Sequence, residues 1–371
     1  MHENVMDQPR AAGLLFAREP HPAPTPADKR AALLRDPGFG RVFTDHMAAI
    51  RYAEGKGWHD AKITAREPLT MDPAAAVLHY SQQIFEGLKA YRTAKGGAVM
   101  FRPLENARRF QRSAERLAMP KLPKAAFVEA CDQLVKIDRD WIPEGDGSLY
   151  LRPFMYASEV FLGVKPSSEY LFLVIASPVG SYFKSKDTSI SLWVSQELTR
   201  AAPGGTGAAK CGGNYAASLM AQLEAARHGC EQVVFLDAVE RCWIEELGGM
   251  NIFFVFDDGS MQTTPLGGTI LPGVTRSSLI TLAKDKGIPV REERYSYDQW
   301  KADARSGRLR EAFACGTAAV VTPIGTVRAP EGEFVIGNGG SGVRTAELKG
   351  ALVDIQRCRA PDPHKWIHRV F

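Results

Sequence analysis

The chain changes its hydrophobic period several times, and each change predicts an element. From Phe43 apolar and polar positions alternate in the manner of strands, and Ala98-Val99-Met100-Phe101 is a short apolar run behind Gly96-Gly97, so hairpins are expected there. Leu104 to Leu117 shifts to helical spacing, with Phe110, Ala114 and Leu117 on one face. A second helix is expected over Lys124 to Trp141, stopped by Pro143 and Gly145. Strands follow at Leu149–Pro153 and Tyr170–Ala176, where Leu171-Phe172-Leu173-Val174-Ile175 reads as a strand buried on both faces. Ser177-Pro178-Val179-Gly180-Ser181-Tyr182-Phe183 then interrupts two ordered regions and is expected to be a linker.

Beyond it the pattern predicts a strand at Ile190–Val194, a glycine-rich loop at Gly204–Gly213, and a helix from Tyr215 to His228 ended by Gly229. Strands at Val233–Leu236 and Asn251–Phe256, a helix at Val274–Lys286 and a last clear apolar segment at Glu311–Thr322 complete the series. Strands and helices mix without a regular βαβ alternation and without an internal repeat. That order argues an α+β fold over a doubly wound sheet.

Length adds a domain count. The 371 residues exceed the roughly 250–300 at which a single core stops growing, so two domains are expected. The expected layout is a loosely ordered, Ala/Pro/Arg-rich arm over 1–35, a smaller domain over 36–177, a linker over 178–189 and a larger domain over 190–371. The net charge of +4 is spread along the chain without a basic block. Nucleic acid and a membrane surface are therefore disfavoured as partners. No run approaches the roughly 18 apolar residues of a spanning helix and no apolar stretch follows a basic start, so a cytoplasmic protein is expected. Six cysteines form no Cys-x-x-Cys pair and no His lies at ligand spacing from them, which favours free buried thiols over disulfides or a metal site.

Five segments carry candidate chemistry. In Thr206-Gly207-Ala208-Ala209-Lys210-Cys211-Gly212-Gly213-Asn214-Tyr215 one lysine sits among small residues that neither shield nor pair it. It is either a solvated loop lysine or an amine that approaches a flat cofactor closely and serves as nucleophile or base. The same segment fails both phosphate-loop patterns, G-x-x-x-x-G-K-[ST] and G-x-G-x-x-G with a following acid, so a nucleotide site is disfavoured. In Trp243-Ile244-Glu245-Glu246-Leu247-Gly248-Gly249-Met250-Asn251 a carboxylate pair stands before a buried strand. It is either a surface turn or a partner that keeps a heterocyclic nitrogen protonated. Arg108-Arg109, with Arg102, Arg112 and Arg116 nearby, offers a phosphate ligand or a solvated helix face. Leu271-Pro272-Gly273-Val274-Thr275 and Ala314-Cys315-Gly316-Thr317-Ala318 offer main-chain N–H groups to the same anion or are ordinary caps and turns.

The joint occurrence of these segments resembles one family. From Phe39-Gly40-Arg41 through His79-Tyr80-Ser81-Gln82-Gln83-Ile84-Phe85-Glu86-Gly87-Leu88-Lys89-Ala90, Phe101-Arg102-Pro103, Arg109, Leu149-Tyr150-Leu151-Arg152-Pro153 and the segments above, the chain looks like a branched-chain amino acid aminotransferase of the class IV, fold type IV group. The resemblance covers nearly everything beyond the arm, in order. It implies a smaller N-terminal α/β domain, a larger domain with a pseudo-barrel sheet, and pyridoxal 5'-phosphate between them. It implies that Lys210 forms the internal Schiff base, Tyr215 bonds the phenolic oxygen and Glu246 holds the pyridine nitrogen. Arg109, the main chain at Val274 and Thr275, and Thr317 would hold the phosphate. Phe39, Tyr80, Phe85, Tyr150, Arg152 and Gly249 would line the substrate side, with Thr317 and Ala318 near the substrate carboxylate.

The implied reaction is reversible, ping-pong transfer of the amino group of leucine, isoleucine or valine to 2-oxoglutarate, giving glutamate, in a homodimer where Tyr80 or its loop serves the partner's pocket. Two departures stand out. Gly249 replaces a threonine of many relatives, and Ala319 and Thr322 occupy the places of a Cys-x-x-Cys pair in the animal enzymes. A thiol switch there is not expected. Competing readings are a D-amino acid aminotransferase or an aminodeoxychorismate lyase of the same fold, a nicotinamide-dependent amino acid dehydrogenase, and a non-enzymatic binding module.

Overall fold

A computed structural model describes residues 14–180 and 189–371. Two nine-stranded sheets organise it. The first runs, in spatial order, Ala17–Arg18, Gly57–Ala65, His46–Ala53, Glu169–Val179, Ser148–Ala157, Leu88–Arg92, Ala98–Phe101 and Ile367–Arg369, with Gln83–Phe85 pairing beside Ser148–Ala157. Its neighbours are antiparallel except for the short strand Ala17–Arg18. Helices Pro103–Arg116 and Lys124–Ile137 cover one face, where Phe110, Phe127 and Phe172 meet with ring centroids 5.4–6.0 Å apart.

The second sheet runs Ile244–Leu247, Gln232–Leu236, Ile190–Ser195, Val320–Ala329, Leu309–Gly316, Asn251–Phe256, Met261–Thr263 and Val290–Glu292, with Gly332–Val335 beside Val320–Ala329. Parallel and antiparallel pairs mix in it. Asn251–Phe256 is buried at every position, which explains its unbroken apolar text. Helices Val274–Asp285 and Val343–Gln356 pack on one face through Leu279, Leu282, Leu348 and Leu352. The same cluster takes in Tyr91, Val99 and Phe101 of the first sheet, so the two sheets share a core. The α+β class and two-domain fold expected from sequence are what the chain adopts.

The differences have physical causes. From residue 14 the expected loose arm is ordered: Ala17–Arg18 pairs with Gly57–Ala65, and Ala27–Leu34 is a helix. Polar anchors hold it, with Thr25 Oγ1 donating to Asp45 Oδ1 at 2.6 Å and the His21 N–H donating to His46 Nε2 at 2.9 Å. Such anchors leave no hydrophobic period to read. Of the expected linker, Pro178 and Val179 continue the strand Glu169–Val179, and residues 181–188 lie outside the described residues. Glu311–Thr322 is two strands, folded back between Gly316 and Val320. Ile367–Arg369, counted with the second domain, returns to pair with Ala98–Phe101 of the first sheet.

All six cysteines are free, Cys358 being exposed. Among the described residues no helix is long and apolar enough to cross a membrane, and no cluster of His, Cys, Asp and Glu has the makings of a metal site.

Candidate active site between the two sheets

The glycines around Lys210 are explained by what surrounds them. A Cβ at Gly207 would strike the Thr269 carbonyl, and one at Gly212 would strike the Gln83 side chain. The loop therefore lies flat between the two sheets. Its Lys210 N–H donates to Ser113 Oγ at 2.9 Å, and its carbonyl accepts from the Phe85 N–H at 2.9 Å. Both partners belong to the first domain. The helix Gly212–Arg227 starts directly behind, three residues earlier than its hydrophobic period suggests, and brings Tyr215 onto the same side. Lys210 Nζ donates to Tyr215 Oη at 2.6 Å and sits 4.8 Å from the Phe85 ring centroid. The lysine is thus held, not solvated.

Strand alternation separates the two glutamates of Ile244–Leu247. Glu245 accepts from Thr269 Oγ1. Glu246 lines the cavity and is buried, with Oε1 2.7 Å from Arg200 Nη1 and accepting from the Leu271 N–H at 2.9 Å. Burial pushes the Glu246 carboxyl up to about 7, against the opposing pull of Arg200 and the Leu271 N–H. A carboxyl so placed, already paired with Arg200, can accept a further N–H donor from the cavity.

At the other end stands Arg109, on the buried face of Pro103–Arg116. Its neighbour Arg108 pairs with Glu105 at the surface. Arg109 forms a fork with Glu86, Nε to Oε1 at 2.7 Å and Nη2 to Oε2 at 2.8 Å, while Nη1 donates to the Pro272 carbonyl at 3.1 Å. Asn106 Nδ2 donates to Glu86 Oε2 at 2.8 Å. Burial alone would raise the Glu86 carboxyl, but Arg109, Lys210 and Asn106 carry it below the usual range. The Arg109 fork is therefore fixed in charge and direction. The helix Val274–Asp285 opens beside it, and its first-turn N–H groups have no partners within the helix.

A cavity of about 350 Å³ joins these groups. Phe39, Phe85, Arg109, Tyr150, Arg152, Lys210, Tyr215, Glu246, Gly249, Val274, Thr275, Thr317 and Ala318 all line it. Phe39 and Tyr150 meet edge to face at 5.2 Å, and Arg152 Nη2 donates to Tyr150 Oη at 3.1 Å with its guanidinium 4.8 Å from the Phe85 centroid. Tyr80 is the exception among the expected residues. It is half-exposed, outside this cavity, and its hydroxyl donates to the Leu162 carbonyl. Two further residues, Glu86 and Arg200, have no role assigned from sequence. Glu86 sits inside the Phe-Glu-Gly text and was legible as a buried acid between apolar neighbours; Arg200 had no local signal.

The donor set has two ends: a guanidinium, helix N–H groups and the Thr317 hydroxyl against an anion, and a buried carboxylate against a ring nitrogen. The amine stands between them. That set fits a phosphorylated pyridine aldehyde.

The comparisons with known proteins agree. Residues 83–327 match the family model described as amino-transferase class IV. A probable branched-chain-amino-acid aminotransferase of Streptomyces coelicolor is 55% identical over 353 residues, 94% of this chain and 97% of that protein. The branched-chain-amino-acid aminotransferase of Mycobacterium tuberculosis strain CDC 1551 is 53% identical over 347 residues, 92% of this chain and 94% of that protein. The crystal structure of a T.th. branched-chain amino acid aminotransferase complexed with N-(5'-phosphopyridoxyl)-L-glutamate superposes with a TM-score of 0.71 at 30% identity, covering 87% of this chain and 99% of that one. The chain belongs to the branched-chain-amino-acid aminotransferases, transaminases of the class IV family.

Proposed function

We propose that the cavity binds pyridoxal 5'-phosphate and exchanges the amino group of leucine, isoleucine or valine with 2-oxoglutarate in two half-reactions. Arg109, the N–H groups of Val274 and Thr275, and Thr317 hold the phosphate, and Glu246 holds the pyridine nitrogen. When bound, the cofactor supplies an electron sink for the substrate α-carbon. Lys210 Nζ would take the proton from that carbon and deliver it to the aldehyde carbon of the bound cofactor, and the Tyr215 hydroxyl at 2.6 Å fixes where the amine stands. Phe39, Phe85 and Tyr150 surround a branched aliphatic side chain, whose burial contributes roughly 1.5–3 kcal/mol. Arg152 receives the second carboxylate of glutamate, and the Thr317-Ala318 turn receives the first.

The same reading makes the chain a homodimer in the cytoplasm. Leu78, Tyr80, Val160, Leu162 and Val164 are exposed apolar residues of two neighbouring segments, joined by the bond from Tyr80 to the Leu162 carbonyl, and form the surface on which a second copy would seat. Tyr80 then belongs to the partner's pocket instead of its own.

The observation that carries the proposal is Lys210 Nζ bonded to Tyr215 Oη in a cavity that has Arg109 at one end and Glu246 at the other. Lys210→Ala is expected to abolish both transamination of leucine with 2-oxoglutarate and the visible absorbance of lysine-bound cofactor, with the fold intact by circular dichroism. Turnover at the wild-type rate in that variant would overturn it.

A further inference from the structure

Lys89 is a buried lysine, 8% exposed, in the strand Leu88–Arg92 of the first sheet. Its cross-strand partner is Tyr150, so both side chains leave one face of that sheet together. Tyr150 ends in the cavity. Lys89 crosses to the second domain, where Nζ donates to the Ala318 carbonyl at 2.8 Å. Among the described residues no carboxylate pairs with it; burial first, and then the nearby Arg357 guanidinium, lower its ammonium to about 8. A cation buried against a neutral carbonyl costs stability, so its placement calls for a gain of another kind.

The backbone it holds supplies that gain. Gly316 and Val320 pair to close a three-residue loop, Thr317 to Ala319, and Val320 lies in the left-handed region at φ 61°. A left-handed position at the edge of a turn is ordinarily filled by glycine. A β-branched residue there is strained, and strain of this sort persists only where surrounding contacts over-determine it. The Lys89 bond falls two residues before the strained position, on the turn that offers Thr317 to the cavity. Behind it a small pocket brings Lys89 together with Val274, Thr275, Thr317 and Gln356.

We infer that Lys89 is a positioning residue for substrate carboxylates: by holding the Ala318 carbonyl from across the domain gap, it sets the Thr317-Ala318 turn against Tyr150 and Arg152. The inference rests on the proposed role of that turn in carboxylate binding. Lys89 acts through the turn and touches neither substrate nor reacting atoms. The lysine therefore tunes how carboxylates are captured, while the proton transfer at Lys210 proceeds independently of it.

The test uses the holoenzyme and two variants. Lys89→Met removes the donor and the charge, and Lys89→Arg keeps a cationic donor. For Lys89→Met the expectation is an increase of about tenfold in KM for leucine and 2-oxoglutarate, the loss of one buried hydrogen bond, with kcat within about threefold. The dissociation constant of the probe 4-methylvalerate, followed by the absorbance change of the bound cofactor, should rise in parallel, and the melting temperature should not fall. Lys89→Arg should recover most of both constants. Unchanged KM and probe affinity in Lys89→Met would overturn the inference, as would a loss of kcat at constant KM, failure of the variant to fold, or no recovery in Lys89→Arg. A wild-type protein without transaminase activity would overturn the functional reading as well, whereas an active wild type with an indifferent Lys89→Met variant removes this inference alone.

Discussion

Arg200 Nη1 lies 2.7 Å from Glu246 Oε1, and each side chain is only 2% exposed. The arginine also donates to the Thr269 carbonyl at 2.8 Å, which ties the carboxylate to the loop behind it. Breaking a buried pair from one side costs about 3–5 kcal/mol because the other charge is left alone. Glu246 has an escape from that penalty, since its carboxyl already stands at about 7 and takes a proton readily. Arg200→Met is therefore expected to lose roughly 3 kcal/mol at pH 8 and distinctly less at pH 6. Denaturant titrations at the two pH values check this.

The same carboxyl makes the cofactor-free protein sensitive to pH. Its value of about 7 in the fold lies above the 4.5 of an ordinary glutamate, so between these limits the folded chain keeps a proton that the unfolded chain has lost. Stability contributed by this group is full below the lower limit and declines as pH rises through the upper one. Glu246→Gln has no such group. The stability of wild type relative to Glu246→Gln should fall by about 2.5 kcal/mol between pH 5 and pH 8, and a flat difference would refute the assignment.

Glu86 is the reverse case. Its carboxylate is held ionised, and Glu86→Ala leaves the Arg109 guanidinium buried without its fork. A loss of about 3–5 kcal/mol in unfolding free energy is expected. Affinity for the cofactor, measured by titrating the apoprotein, should drop as well, because Arg109 no longer has a fixed direction. Arg108→Ala, at the surface, should change neither quantity by a comparable amount.

Two glycines of the cavity should respond oppositely to a side chain. A Cβ at Gly87 overlaps the Tyr150 hydroxyl, so Gly87→Ala must displace Tyr150 and disturb its bond from Arg152. A shift of this order costs about a hundredfold in kcat/KM. At Gly249 the nearest atom to a Cβ is Tyr215 Cε1 at 3.6 Å, ordinary contact. Gly249→Thr should fold with stability equal to wild type or higher by up to about 1 kcal/mol. Paired kinetics and melting curves distinguish the two.

Much of the site was legible because its residues lie in short texts with unusual chemistry. Lys210 among glycines and alanines, and Glu246 before an unbroken apolar strand, announce themselves locally. The helix of Arg109 was legible too, though which of its arginines faces inward follows from the buried stripe Asn106, Arg109, Phe110 and Ser113, a face that carries polar residues where it meets the site. Arg200 and the Lys89 bond are different in kind. Each joins residues far apart in the chain, 46 or 229 positions, and no local period encodes such a meeting. Helix Val343–Gln356 is hard to read for a third reason: apolar residues also stand on its outer side, Val343 and Ala346 among them, so the buried stripe of Leu348, Leu352 and Ile355 does not stand out.

The return of Ile367–Arg369 to the edge of the first sheet carries a consequence for synthesis. The Ala98 N–H donates to the Phe371 carbonyl, and the Val370 N–H donates to the Ala98 carbonyl at 2.9 Å. Roughly 270 residues separate these partners, counted from the numbering of the pair. While the ribosome is still making the second sheet, the strand Ala98–Phe101 has an open edge, a template for pairing with other nascent chains. The residues that seal it are made only after Lys210, Glu246 and the Thr317 turn, so this edge of the first sheet stays open until every active-site residue has been synthesised.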